Sequence, residues 1–256
     1  MKNIIKSCLI SFVLSISFNA YSFDVKTLAL VGKDKVGFIN KTGKFVIKPV
    51  YDDAMPFKDG CAAVNKNGKW GFIDENGSVV IKPQYDSVSN FVDGIAAASI
   101  GDKWGFIDKK GNFIIQPNFD YARPFKEGLA RVRVQRKWGF INKEGLYVIE
   151  PKFSSANDFN ENASRVKVGR NWGFIDNTGK YIIKPKFRSA GEFSDGLARV
   201  KSGRSWGYIN KKGHFVISPR YSSANDFIDG IARVRSRGLI GFIDKKGSFV
   251  IEPKFG

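Results

Sequence analysis

Between residues 128 and 153 the chain reads GLARVRVQRKWGFINKEGLYVIEPKF. In its first stretch apolar and polar positions alternate. Ala130, Val132 and Val134 share one face, and Leu129, Arg131 and Arg133 share the other. Short runs of this period, rich in Val, Ile, Phe and Tyr, are strand patterns and predict strands over 129–134, 137–142 and 147–151. Helices are excluded by the breakers. Gly128, Gly139, Gly145 and Pro151 leave at most ten residues between them, and Gly and Pro cost about 1 and 3 kcal/mol inside a helix. Between the second and third strands, INKEG predicts a hairpin in which Asn142 opens the turn and Gly145 takes the left-handed position. FKEG and FVDG place a glycine where the chain turns with positive φ, and Asn162 stands in for it once. Proline, which cannot donate to a ladder, is expected to end each third strand.

The pattern recurs. Trp70, Trp104, Trp138, Trp172 and Trp206 are each 34 residues apart, and Val36 and Ile240 continue the step at either end. Pro49, Pro83, Pro117, Pro151, Pro185, Pro219 and Pro253 keep the same step, with no insertion or deletion. The predicted fold is all-β. It comprises seven tandem 34-residue units of about three short antiparallel strands, starting near residues 27, 61, 95, 129, 163, 197 and 231, within one domain over 23–256. Such units can form an open solenoid-like stack or close into a seven-bladed, propeller-like ring. In a ring every unit has two neighbours and all copies should look alike. Here both end units lack the tryptophan, which favours the open stack. Trp104 is expected to be a wedge between units, with Gly105 leaving room for close backbone approach.

The unit quoted above resembles the WG-repeat, or KWG-repeat, family of bacterial proteins over nearly the whole chain after its leader. The resemblance implies a tandem β-repeat array, often exported, with no general enzymatic activity. Val36 and Ile240 depart from the family's signature tryptophan.

Residues 1–22 read as a cleavable secretory leader: Lys2 and Lys6 in front, an apolar stretch from Cys8 to Phe18, then small Ala20 and Ser22 before the expected cut. That apolar stretch is short for a membrane span. The expected destination is the periplasm or the exterior. Cys61 is then the sole remaining cysteine and reads as a small apolar filler.

The formal charge of +18 points to anionic partners: nucleic acid, acidic glycans, lipopolysaccharide or an anionic membrane surface. The repeats locate part of it. Arg131 and Arg133, Arg165 and Lys167, Arg199 and Lys201, and Arg233 and Arg235 recur in the last four units as a cation ladder. The first three carry Ala29 and Val31, Ala63 and Asn65, and Ala97 and Ser99 there. Arg136, Arg170 and Arg204 add charge at the hairpin tips. A regular row of cations suits a polymer with regular anions; a solvated strand face that blocks edge pairing is the bland alternative. A protein-interaction scaffold in the cell envelope is the second functional expectation, and the protein is expected to be a monomer.

Catalytic and metal chemistry are not expected. His214 has no patterned partner, and Lys44, Ser78, Asn112, Leu146, Lys180 and Ser248 take its place elsewhere. Asp74, Asp108, Asp176 and Asp244 alternate with Asn40, Asn142 and Asn210, as Asx turns allow and acid catalysts do not. Asp59, Asp93, Glu127, Glu161, Asp195 and Asp229 are expected to form the turns between units. No cofactor is expected. Two aromatic rows, Phe45, Phe113, Tyr147, Tyr181, Phe215 and Phe249, and Phe57, Phe91, Phe125, Phe159, Phe193 and Phe227, are expected in core layers.

Overall fold

The computed structural model describes residues 29–32 and 34–256. The leader predicted over residues 1–22 lies outside them. Among the described residues there are strands and turns and no helix. Unit four shows the plan: Tyr121–Lys126, Leu129–Val134, Lys137–Ile141 and Tyr147–Phe153 form an antiparallel meander in chain order. Seven such sheets follow one another. The first has three strands, Ala29–Val31, Val36–Ile39 and Phe45–Tyr51, and the other six have four.

Two expectations change here. Each complete sheet gains a fourth strand that leads into the unit. In most units it is only two residues long, as in Ser155–Ala156, and too short to show a period. In unit four it contains Pro124 and a register shift between Ala122 and Phe125. Proline also does not end the last strand, which runs through Pro151 to Phe153. That strand is the sheet edge, and the ladder shifts register between Trp138 and Phe140. A residue at a bulge on an edge has no ladder donor to lose. Gly139 is the other half of this bulge: a Cβ there would lie 2.5 Å from the Ile149 carbonyl oxygen and 2.7 Å from the Pro151 nitrogen.

The sheets stack face to face. Burial is divided into six apolar clusters, one between each pair of neighbours. One joins Leu129, Phe140, Ile149 and Phe153 of unit four to Ala156, Phe159, Val166 and Ile175 of unit five. The wedge in each interface is the residue two after the tryptophan position. Phe38, Phe72, Phe106, Phe140, Phe174 and Tyr208 are at most 1% exposed. Each packs against a ring of the following unit, with centroids 4.5–5.0 Å apart. The tryptophans are half-buried at the margin of these clusters, so the expectation that Trp104 is the wedge is corrected to Phe106. Alternation explains the shift: Phe106 points into the middle of the sheet contact, whereas Trp104 sits one pleat nearer its edge.

The Phe57 row is core as expected, but the Phe45 row divides: Phe113 and Phe249 are partly buried against the clusters, and the other four are exposed. Phe45, Phe215, Tyr147 and Tyr181 are 38–53% exposed. They sit at the start of the edge strand, and Tyr147 touches Phe119 of the preceding unit by a ring edge at 6.3 Å.

The stack is open. Ile149 and Phe153 are 3% and 1% exposed beneath unit five, whose Gly179 would bring a Cβ within 3.1 Å of Ile149. Their equivalents in the last unit, Ile251 and Phe255, are 38% and 47% exposed. Nothing lies within 4 Å of a Cβ placed on Gly43 in the first unit, where later hairpin glycines meet the preceding isoleucine.

The turns follow their chemistry. Asp74 Oδ1 accepts from the backbone N–H of Asn76 and Ser78, and Asn210 does the same for Lys212 and His214. Asp59, Asp93, Glu127, Glu161, Asp195 and Asp229 all adopt φ of 50–54°. Four of them also accept backbone N–H groups of the next unit. Asp59 accepts from Gly94 N–H at 2.8 Å, Glu127 from Glu161 and Asn162 at 2.8 Å, Glu161 from Gly196 at 3.1 Å and Asp195 from Gly230 at 2.7 Å.

Candidate functional site

The face of Leu129–Val134 that carries the arginines looks at the following sheet. Leu129 belongs to the cluster shared with unit five, while Ala130 and Val132 pack on unit three. Arg131 therefore projects between two sheets and Arg133 reaches their rim. The eight ladder cations separate into an inner row, Arg131, Arg165, Arg199 and Arg233, and an outer row, Arg133, Lys167, Lys201 and Arg235.

Three inner arginines fasten one unit to the next. Arg131 donates to the Ala156 carbonyl, Arg165 to that of Ala190 and Arg199 to that of Ala224. Their guanidinium carbons stand 4.5, 4.3 and 5.4 Å from the ring centres of Trp138, Trp172 and Trp206. Carboxylates of the next unit complete the arrangement. Arg131 Nε lies 3.0 Å from Asp158 Oδ1, and Arg199 Nε donates to Asp226 Oδ1 at 2.9 Å. Arg165 donates to Asn157 Oδ1 at 3.0 Å, and the Asn157 amide donates to Glu192 at 2.7 Å. Burial pulls the Arg131 and Arg165 guanidinium groups below their ordinary range, against the attraction of Asp158 and Glu192. Burial likewise pushes the Asp226 carboxyl up, with Arg199 opposing. Arg233, in the last unit, has no sheet to enter and is exposed.

Asp158, Glu192 and Asp226 escape a reading that scores residue types singly. The signal was a pairwise one: Arg131, Arg165 and Arg199 are each followed by an acid 27 residues later, and Ala29, Ala63 and Ala97 are followed by Pro56, Asn90 and Pro124.

The outer row is presented differently. Arg133, Lys167 and Lys201 lie half-buried, 5.6, 5.6 and 6.0 Å above Trp138, Trp172 and Trp206. Arg235 donates to the Gly238 carbonyl at 2.6 Å. Each tryptophan thus supports one inner and one outer cation, its negative π-face turned to both. Arg136, Arg170 and Arg204 at the hairpin tips are exposed. His214 is exposed just before the strand Phe215–Tyr221, and Cys61 is buried with its thiol pushed up by desolvation.

The first three units use a different tie. Lys35 pairs with Asp52, Lys69 with Asp86, and Lys103 with Asp120 at 2.6 Å. Asp52 and Asp86 also accept the N–H groups of Asn67 and Gly101. The lysine hydrogen bond, first among the causes, holds all three carboxyls below their ordinary 3.8. With folded values below unfolded ones, this stabilisation is complete above 3.8 and is lost as the pH falls through the folded values. Asp52→Asn, Asp86→Asn and Asp120→Asn together are expected to flatten the acid limb of a stability–pH curve followed by circular dichroism. An unchanged limb would remove these pairs from the account.

A family model described as "WG containing repeat" matches residues 37–70, 70–104, 104–138, 138–172, 172–203, 206–239 and 240–256. No curated protein matches the chain. Among solved structures, a eukaryotic initiation factor is similar at TM-score 0.59 and 13% identity, over 88% of this chain and 73% of that one. Hsv2 of Kluyveromyces lactis is similar at TM-score 0.51 and 9% identity, over 89% and 94%. At such identities these likenesses concern the fold alone. No helix among the described residues is long and apolar enough to cross a membrane.

Proposed function

The chain belongs to the WG-repeat family, and from that premise we propose that it is an exported, non-enzymatic binding module whose outer cation row engages an anionic polymer or surface. The observation that carries this reading is the row itself. Arg133, Lys167, Lys201 and Arg235 recur once per unit at the rim, and no carboxylate of the described residues lies within 4.0 Å of them. Face-packed sheets lie about 10 Å apart, so the row offers one cation roughly every 10 Å to a cell-envelope glycan, lipopolysaccharide or nucleic acid. The formal charge of +18 adds long-range attraction. The leader pattern supports export.

The test is binding to heparin, lipopolysaccharide and DNA at graded salt, comparing wild type with a variant carrying Arg133→Ala, Lys167→Ala, Lys201→Ala and Arg235→Ala. Affinity for DNA is expected to fall steeply with salt. The slope of log K against log salt should shrink by about 3–4 in the variant, near 0.9 per lost phosphate contact. Equal slopes for the two proteins would sink the proposal. Arg131, Arg165 and Arg199 are unsuitable for this comparison because they hold units together.

A further inference from the structure

The edge strands carry an apolar band that neither the core nor the cation rows use. Phe45 and Val46, Tyr147 and Val148, and Phe215 and Val216 open three of these strands, and all six are 36–53% exposed. The same two strand positions hold more than half of the exposed large apolar side chains among the described residues. Single exposed apolar residues are ordinary, whereas a set that recurs once per unit along one edge marks a contact surface. The band has a fixed place in the array. Arg133 is opposite Trp138 near one end of Lys137–Ile141, and Tyr147 is opposite Ile141 at the other, about 10 Å further along the strand. The hairpin over 142–146 lies at that second end. Equivalent residues of a regular array fall in line, so the hairpins and the band share one end, away from the outer cation row.

Cations flank the band. The hairpin and edge stretches 40–51, 74–85, 108–119, 142–153, 176–187, 210–221 and 244–255 contain 17 Lys and Arg against 8 Asp and Glu. Asp74, Asp108, Asp176 and Asp244 are engaged by hairpin N–H groups. Lys109, Lys143 and Lys211 pair with acids of the turns between units. Lys110, Lys212, Lys245 and Lys246 are exposed, with no carboxylate of the described residues within 4.0 Å.

We propose that this end of the array docks on an anionic phospholipid bilayer. The aromatic and aliphatic pairs enter the boundary between headgroups and acyl chains, and the lysines beside them meet lipid phosphates. A lysine stem lies along apolar surface while its ammonium stays in water, which fits it to that boundary. One short pair per unit gives shallow insertion at many points. A strand of another protein is the poorer occupant. Every edge strand contains a proline, and the ladder beside it shifts register, which blunts strand addition. Salt screens the lysine contribution and leaves the apolar one. Lipid binding therefore outlasts DNA binding as salt rises, and it is independent of the reading given to the outer cation row.

The experiment is co-sedimentation with vesicles of phosphatidylcholine alone and of phosphatidylcholine and phosphatidylglycerol in equal parts, at low and high salt. The proteins are wild type and a variant carrying Phe45→Thr, Tyr147→Thr and Phe215→Thr, with folding checked by circular dichroism. Wild type is expected to bind the mixed vesicles roughly tenfold or more tighter than the neutral ones, and the variant to lose roughly tenfold or more on the mixed vesicles. DNA affinity is expected to be the same for both proteins. No binding by wild type, equal binding to the two vesicles, unchanged vesicle affinity in the folded variant, or a matching loss of DNA affinity overturns the proposal. So does self-association of wild type that the variant abolishes without any vesicle binding, which would make the band a contact between copies. Should the variant fail to fold, Val148→Thr, Val216→Thr and Val250→Thr together, near-isosteric changes on the same band, decide the matter by the same outcomes.

Discussion

Phe140→Ala is expected to cost about 4 kcal/mol of stability, and Trp138→Ala about 3 kcal/mol. Phe140 is 1% exposed and meets Phe159 of the next unit at 4.8 Å. Removing a fully buried ring loses its transfer energy and leaves a cavity that rigid sheets cannot close, roughly 3–5 kcal/mol for Phe→Ala. Trp138 is half-buried, so less of its surface is at stake. Its remaining contribution is the platform for Arg131 and Arg133, at 4.5 and 5.6 Å, about 2 kcal/mol for the desolvated Arg131 and about 0.5–1 kcal/mol for Arg133 at the rim. Urea unfolding followed by far-ultraviolet circular dichroism gives the comparison without depending on the deleted fluorophore. Because a repeat array distributes stability over neighbouring units, the slopes of the transitions must be compared along with their midpoints. If Trp138→Ala proves as costly as Phe140→Ala, the assignment of the wedge is wrong.

Gly139→Ala is expected to be nearly as damaging, although it adds only a methyl group. The new Cβ would meet backbone on two sides, the Ile149 oxygen at 2.5 Å and the Pro151 nitrogen at 2.7 Å. Real Cβ atoms do not approach backbone so closely, and neither neighbour is a flexible side-chain end. Relief requires opening the bulge at which the ladder shifts register, and the cost is about 3 kcal/mol, the upper part of the range for overpacking. Gly128 is the control. Its φ is 83° and nothing lies within 4 Å of a Cβ placed on it, so Gly128→Ala meets conformational strain alone, about 1–2 kcal/mol. Equal losses for the two substitutions would mean that crowding against the edge strand is not what the recurring glycine avoids.

The motif thus divides into three jobs in successive residues. Trp138 carries cations at the rim, Gly139 lets the edge strand bulge inward, and Phe140 fills the contact between sheets. The lysine that opens the motif in units two to four is explained separately. Lys69 and Lys103 pair with Asp86 and Asp120, whereas Ser154 stands where Lys137 would find its acid. From that unit onward the arginine ties take over. Beside the tryptophan the chain changes its charge-based fastening partway along, from a lysine–aspartate pair to an arginine clamp on the next unit, while lysine–carboxylate pairs such as Lys211–Glu161 persist at the hairpins.

Much of this was legible without coordinates. The 34-residue step, the period-2 alternation and the Gly and Asn positions dictate seven β-units and their hairpins, because these are local properties of the backbone. The division of Leu129–Val134 into an Ala130/Val132 face and an Arg131/Arg133 face was equally local. Three things were not local. Strands as short as Ser155–Ala156 exist only because a neighbouring strand pairs with them. Pro151 could lie inside a strand because that strand is an edge. The role of each cation depended on which sheet its face meets: period-2 patterning says that Arg131 and Arg133 point the same way, and it cannot say that another unit waits there with Asp158 and the Ala156 carbonyl. Alternation along a strand determines sides, while stacking determines what each side touches. The sequence by itself determined the repeat, its turns and the faces of its strands. The tertiary structure alone decided that the stack stays open and that three arginines are fastenings rather than free charges, because burial and hydrogen-bond partners arise from packing between units that no single unit encodes.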